Sequence, residues 1–420
     1  MTRSRYIDGK GASLALVDIG TTKIVCMIVA PEALGWRLLG YGYQRSRGMK
    51  AGVVVDIEQA EDAVRATISQ AETMAGINLE DVHIAVACGR LKSLNFTARA
   101  DAADGIVQDD DIARLMHAAR VYAERDGRCI VAMNRISWSL DGVGGIEDPI
   151  GLAARGIEAE VHVATADDAP LRNILSLIER CRLGVAQISV TAHASALAVT
   201  SPDERQLGVT VVDCGGGVTS IAEFFEGHLV GVHAIPVGGS HVTYDIAKAL
   251  STTVAEAERI KTCHGSLVQA RSDAHERITY QHVNGEDATL ADIGKMDLRS
   301  MIAPRIDMLL ASIAERVTLG SAGMPGAGRF VLTGGASAMS GLDQHAAEFF
   351  GRPARAGRPF GLGGMPDSLS GPGFATIVGL LPLALDREAA SYSRGMLDGA
   401  VGREQSGYFG RVGRWIKESF

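Results

Sequence analysis

The sequence has no excess of positive charge, no cysteines at metal-ligand spacing, few aromatic residues and no apolar run suited to crossing a bilayer. Each shortage excludes something. With 41 Lys and Arg against 49 Asp and Glu, the chain carries a formal charge of −8, so it lacks the basic footprint of a nucleic-acid binder. The six cysteines, Cys26, Cys88, Cys129, Cys181, Cys214 and Cys263, form no C-x-x-C pair; they read as reduced cytosolic thiols that fill core space. The late apolar run "GFATIVGLLPLAL" from Gly373 is short and broken by proline, which argues against a membrane span. The start, "MTRSRYIDGKGAS", is basic but has no apolar h-region, so no secretion signal is expected. Aromatics make up only 5% of the residues, whereas 46% are hydrophobic and 50 are glycine. That balance predicts a soluble α/β protein with cores of small side chains and tight turns. A length of 420 residues suggests two to four domains at ~100–200 residues each.

Strand and helix patterns alternate along the chain. Leu14 to Val17, Ile24 to Val29 and Arg37 to Tyr43 read as strands, and the segment from Asp56 to Gly76 as an amphipathic helix before the strand "HIAVACG". Three acids in "VQDDDIARLMHAARVYAERD" suit a helix N-terminus. Short strands are expected around Ile130, around Ile136 and in "AEVHVATA". A helix from Ala169 follows, and later come a capped helix in "STTVAEAERIKTCHG", a polar, irregular segment from Ala270 to Lys295, and the helix "LRSMIAPRIDMLLASIAERVTLG". After Asp386 the chain turns polar and glycine-rich, as a linker does.

Two stretches share an unusual layout. "ALVDIGTTKIVCMIV" from Ala15 and "VVDCGGGVTSIAEFF" from Val211 each run from apolar residues to an aspartate, then glycine and hydroxyl residues, then a second apolar run. An acid at a strand end followed by a glycine bend presents backbone N–H groups to an anion without Cβ obstruction. Two such bends facing each other suit the phosphates of a nucleotide, with Asp18 and Asp213 holding a hydrated Mg²⁺ and Lys23 supplying a cation. A third glycine turn, "VLTGGASAMSGL" from Val331, suits either a nucleoside or an ordinary strand-to-helix loop.

At the C-terminus, Tyr408, Phe409, Val412, Trp415, Ile416 and Phe420 fall on one helical face, with Arg411, Arg414 and Lys417 off it and Glu418 the only acid. This pattern favours a helix lying in an anionic membrane interface over one docked on the protein's own core. Gly410 and Gly413 would weaken such a helix without an external surface to order it.

The three glycine turns resemble those of the actin/Hsp70/hexokinase ATPase superfamily. The blocks "DGVGGIEDPIGLAARGIEAEVHVATA", "ERQLGVTVVDCGGGVTSIAEFFEGHLVGVHAIPVGGSHVTYDIAKAL" and "AERIKTCHG" resemble FtsA, the bacterial actin-like family of the division ring. The likeness runs from about Ala15 to about Leu385. It implies an actin-like fold: two related RNase H-like domains around a nucleotide cleft, with an inserted subdomain and a C-terminal amphipathic helix. The implied organisation is subdomain 1A at 1–91 and 169–206, an SHS2-like subdomain 1C at 92–168, and subdomain 2A at 207–242. Subdomain 2B follows at 243–323, a return to 2A and 1A at 324–385, a linker at 386–406 and a membrane-targeting helix at 407–420.

By the same resemblance, Asp18, Gly20, Thr21, Thr22 and Lys23 form the first phosphate loop, and Asp213, Gly215, Gly216, Gly217 and Thr219 the second. Gly238 and Gly239 would pack near the β- and γ-phosphates. Glu258 and Lys261 would reach ribose and adenine, although their spacing equally suits an intrahelical ion pair. Gly334, Gly335 and Ala336 would form the adenosine loop, with Ser337 nearby. Hydrolysing members usually carry a Glu or Gln on the connecting helix, whereas "VTAHASALAV" from Val190 offers Thr191, His193 and Ser195. His193 suits either a base or a packed residue, so ATP binding with slow or negligible hydrolysis is expected. Expected partners are the FtsZ tail, other copies of the chain, later division proteins and the anionic membrane at the cytoplasmic face of the division site. Arg299 and Arg305 are candidates for the acidic tail, or simply a solvated helix face. The alternatives are a sugar or acetate kinase and an actin-like ATPase of pilus or rod-shape machinery; a kinase would need a catalytic base and has no use for the terminal helix, and a pilus or rod-shape protein should lack the block from Asp141 to Ala166.

Overall fold

In the computed structural model, which describes residues 13–33, 35–88, 90–124, 128–284, 287–320 and 328–386, the first repeated stretch opens a five-stranded sheet. Strands β1 (Leu14–Ile19), β2 (Lys23–Glu32) and β3 (Gly35–Arg45) form an antiparallel meander, followed by the short pair β4 (Met49–Lys50) and β5 (Val53–Val54). Helix α1 (Ile57–Ala75) starts where the Asp56 side chain accepts the Gln59 N–H at 3.1 Å and ends at left-handed Gly76. Its buried Ala60, Val64, Ile68 and Ala71 lie on one face. Strand β6 (Asp81–Val86) then runs parallel to β1.

The chain next leaves this sheet for an inserted unit. It comprises β7 (Lys92–Asp101), α2 (Asp109–Ala123), β8 (Arg128–Leu140), β9 (Val143–Ile146) and β10 (Gly156–Asp167), with strand order β7-β10-β8-β9. Asp109, Asp110 and Asp111 occupy the first turn of α2, as the sequence suggests. The unit has its own core around Leu115, Trp138, Ile157 and Val161. Where short strands are expected around Ile130 and Ile136, β8 is one continuous strand: it carries an extra residue against β10 at two places, Ile136 and Val131, opposite the register shifts at Glu160/Val161 and Ala164/Thr165, and so stays paired through both irregularities.

Helix α3 (Asp168–Arg180) and strand β11 (Gly184–Val190) complete the first sheet, ordered β11-β6-β1-β2-β3. Helices α4 (Thr191–Val199) and α5 (Pro202–Leu207) lead to the second. There β12 (Val209–Cys214), β13 (Thr219–Phe225) and β14 (His228–Ile235) repeat the meander. Helices α6 (Gly239–Leu250) and α7 (Val254–His264), strands β15 (Arg277–Asn284) and β16 (Asp287–Gly294), helix α8 (Lys295–Gly320), β17 (Arg329–Thr333), α9 (Leu342–Phe350), β18 (Ala354–Ala356) and α10 (Ala375–Leu385) follow. The order β14-β13-β12-β17-β18 matches the first sheet strand for strand.

The segment from Ala270 to Lys295 is not irregular: β15 and β16 pair as an antiparallel hairpin. Its alternation buries Ile278 and Tyr280 in the second core and leaves polar residues outward, so only a few apolar positions signalled it.

The first core extends through α4 and α10 to Val211, Ala222 and Phe224 on one face of the second sheet; the opposite face packs on α6, α7 and α8. The crossover helices α4 and α10 touch so closely that a Cβ on Gly379 would collide with the Ala194 carbonyl. A second junction joins the inserted sheet to β14. The Asn95 and Asn134 amides donate to the Val230 and Leu229 carbonyls, both at 2.8 Å, and the Val232 N–H donates to Ser93 Oγ at 3.2 Å. Buried His162 bridges Ser93 Oγ at 2.8 Å and Asn134 Oδ1 at 3.0 Å. Side chains of the insert thus occupy backbone groups of an edge strand.

Candidate functional site

The two β-hairpin bends meet at a cleft between the sheets. Asp18 and Asp213 occupy equivalent registers, one residue before the ends of β1 and β12. Beyond them the bends close alike: the Gly20 N–H donates to the Lys23 carbonyl and the Gly215 N–H to the Val218 carbonyl, both at 3.0 Å. The bends touch across the cleft. A Cβ on Gly216 would collide with Thr22, and one on Gly217 would lie 2.7 Å from Thr21 Cγ2, so close approach requires glycine at both. Helix α6 is tied to the second bend by the Gly239 and Ser240 N–H groups, which donate to the Gly215 and Gly216 carbonyls at 2.9 and 2.8 Å.

The electrostatics are poised for a charged ligand. Burial, opposed by Lys23 and reinforced by Asp213, pushes the Asp18 carboxyl up to about 6. Asp213 is also raised by burial, against Ser195, Thr376 and Lys23. Burial pulls the Lys23 ammonium down, against the two acids, and its Nζ lies 3.5 Å from the Phe374 ring centroid. Two carboxylates deprived of water are the oxygen donors a hydrated divalent cation takes, and two sets of bend N–H groups beside one ammonium are what a polyphosphate takes. Among the described residues no cluster of three or more metal-ligating side chains occurs, so the acids here act as a pair.

The cleft has two connected chambers sharing Thr22, Lys23, Tyr43, Gly216 and Gly335. The inner one, about 280 Å³, is lined by Asp18, Gly20, Thr21, Asp213, Gly215, Gly217 and Gly334 among others. The outer one, about 470 Å³, is lined by Gly238, Gly239, Glu258, Lys261, Ala336 and Met339 among others. Lys261 Nζ donates to Glu258 at 2.7 Å, Thr243 Oγ1 at 2.9 Å and the Gly239 carbonyl at 3.2 Å. The ion pair and the cavity-lining role therefore hold together. Burial raises the Glu258 carboxyl, but Lys261 and Thr243 outweigh it and hold the group low.

Two expected residues point elsewhere. Thr219 Oγ1 donates to the Val237 carbonyl at 2.8 Å and Ser337 Oγ to the Gly334 carbonyl at 2.8 Å; both hydroxyls brace the loops from behind. His193 lines neither chamber: it packs on Phe224 with ring centroids 5.8 Å apart, and burial pushes its pKa down to about 4. From the same helix, Thr191 reaches the inner chamber, and Ser195 Oγ donates to Asp213. Arg305 is held by Asp245 through two bonds of 2.6 and 2.8 Å and lines the outer chamber. Half-buried Arg299 adds, after the Ala270 N–H and Lys295, to the groups holding Asp273 low.

Sequence reading missed Tyr43, Thr376, Gly373 and Phe374. Tyr43 lines both chambers, Thr376 bonds Asp213, and Gly373 and Phe374 approach Lys23. A lone hydroxyl in the apolar run "ATIVGLL" was the available sign of Thr376. The expected membrane face, Tyr408 to Phe420, lies outside the described residues, as does the linker from 387 to 406.

The family model described as "Cell division protein FtsA" matches residues 210–379, and the one described as "SHS2 domain inserted in FTSA" matches residues 88–165. The chain is 35% identical to cell division protein FtsA of Rhizobium meliloti strain 1021, covering 97% of this chain and 95% of that one. It is 32% identical to the Pseudomonas aeruginosa protein (98% and 99% covered) and 30% to that of Escherichia coli K12 (96% and 97% covered). Among solved structures, a chain of the PilM-PilN type IV pilus biogenesis complex superposes with TM-score 0.64 at 16% identity, covering 89% of this chain and 99% of that one. MreB 5 of Spiroplasma citri bound to AMPPNP gives 0.51 at 15% identity, with 92% and 98% covered. The fold is therefore actin-like, with an SHS2 insertion.

Proposed function

The chain belongs to the FtsA family of cell division proteins, and from that premise we propose that it is an ATP-binding adaptor. In this reading it polymerises at the cytoplasmic face of the inner membrane, tethers the tubulin-like FtsZ filament there and recruits later division proteins. The observation that carries the reading is the pair of opposed glycine bends, one beside half-buried Asp18 and the other beside buried Asp213, with Lys23 at their junction.

Bound ATP with Mg²⁺ supplies the polyphosphate and the cation that the two acids hold through water. With the Gly20 and Gly215 N–H groups closing their own bends, the backbone N–H groups of Thr21, Thr22, Gly216 and Gly217 bind phosphate oxygens, and Lys23 neutralises part of their charge. Glu258 and Lys261 orient the nucleoside, and Gly334 to Ala336 let the backbone approach it. From α4 the inner chamber receives Thr191 but no carboxylate or amide, and His193 packs away from it, so water activation is weak and turnover slow. The nucleotide then acts chiefly on the angle between the domains.

Membrane attachment falls to the C-terminal face of Tyr408, Phe409, Val412, Trp415, Ile416 and Phe420, flanked by Arg411, Arg414 and Lys417. Among the described residues no helix is long and apolar enough to cross a membrane. The acidic FtsZ tail docks on residues 243–323, where Arg299 and Arg305 sit on α8; Arg305 is already shared with Asp245. Flotation with anionic liposomes tests the adaptor reading: the full chain should float together with FtsZ, and a chain truncated before Tyr408 should leave both in the pellet. Co-flotation by the truncated chain would overturn the membrane assignment.

A further inference from the structure

We propose that Ser195 and Thr376 are positioning residues for Asp213, fixing which carboxylate oxygen faces the cation and phosphates; the proposal rests on the nucleotide reading above. Ser195 Oγ and Thr376 Oγ1 both donate to Asp213 Oδ2, the latter at 3.1 Å, and the hydroxyls are 2.9 Å apart. All three residues are buried. With Oδ2 held, Oδ1 is left toward Gly334, whose backbone lies in the left-handed region at φ +86° and where a Cβ would strike that oxygen. The glycine of the third turn thus leaves Oδ1 unobstructed.

The clamp sits at the crossing of the two helices that connect the domains. Ser195 belongs to α4, which leaves the first sheet for the second, and Thr376 to α10, which returns. The helices are locked face to face where Gly379 meets the Ala194 carbonyl. Asp18, by contrast, receives no side-chain hydroxyl among the hydrogen bonds of the described residues; the charge of Lys23 is what opposes its desolvation. The two acids are therefore held differently: Asp18 answers to a cation that also serves the ligand, while Asp213 is fixed to the hinge. An unclamped carboxylate turns freely about its terminal torsion and loses the preorientation that makes cation binding favourable.

The test uses the full chain stripped of nucleotide and titrated calorimetrically with AMPPNP, with and without Mg²⁺. The ratio of the two dissociation constants measures the coupling between cation and nucleotide. Ser195→Ala and Thr376→Val should each reduce that ratio about tenfold, the scale of one hydrogen bond to a charged group, and change Mg²⁺-free affinity less than about threefold. Thr376→Ser should restore the ratio. In an Asp213→Asn background, Ser195→Ala should change nothing further. Unaltered coupling in both variants, or an equal loss with and without Mg²⁺, would overturn the proposal. If the unsubstituted chain bound no AMPPNP under either condition, the nucleotide reading itself would fail and the clamp with it.

Discussion

Mild acid should loosen the joint between the inserted sheet and the second domain. His162 is fully buried there, with both ring nitrogens engaged by Ser93 and Asn134, whose own polar atoms meet the β14 backbone. Burial first, then the nearby His193 and His233, push its pKa from 6.5 down to about 3. The folded state therefore refuses a proton that the unfolded chain accepts below about pH 6.5. Stability from the neutral ring is complete above that pH and is lost as pH falls from about 6.5 towards 3. Linkage puts the loss between pH 7 and pH 5 at about 2 kcal/mol for this residue alone. His162→Gln keeps an amide donor and acceptor but cannot be protonated, so it should remove that share of the slope. Urea unfolding of both proteins, followed by hydrogen exchange of the β14 amides, measures the difference. The stability gap between original and variant should change by about 2 kcal/mol from pH 7 to pH 5, with β14 protection falling first in the original. Parallel pH curves would refute the reasoning.

Gly216→Val would drive a side chain into Thr22; nucleotide affinity should fall at least about a hundredfold, or about 2.7 kcal/mol, with circular dichroism unchanged, as equilibrium dialysis can check. Gly379→Val would force α10 off the Ala194 carbonyl at a cost of about 1–3 kcal/mol or more, read as an earlier thermal transition. Replacing Arg305 with Met leaves Asp245 without its bidentate partner, and since the pair is partly exposed the loss should be at most about 1 kcal/mol; a larger drop would mean that the pair braces α6 against α8.

Much of this architecture was legible because it repeats. Aspartate, glycine and hydroxyl between apolar runs marked both bends, and Asp18 and Asp213 fall in equivalent registers. Hydroxyls were read less well, since type and spacing do not say where an O–H points. Thr219 and Ser337 turn to carbonyls behind their loops, while Thr376, in an apolar run, reaches Asp213 from far along the chain. The β15–β16 hairpin was obscured because few of its residues face the core. Contacts between distant elements, such as Arg305 with Asp245 or Asn134 with the Leu229 carbonyl, leave no local pattern at all.

The most direct test of the central claim is calorimetric titration of the nucleotide-stripped chain with ATP and Mg²⁺, alongside Asp18→Asn and Asp213→Asn. The account predicts saturable one-to-one binding that either substitution weakens at least about tenfold and that disappears when both are combined. A chain that bound no ATP, or bound it equally well without either acid, would contradict it.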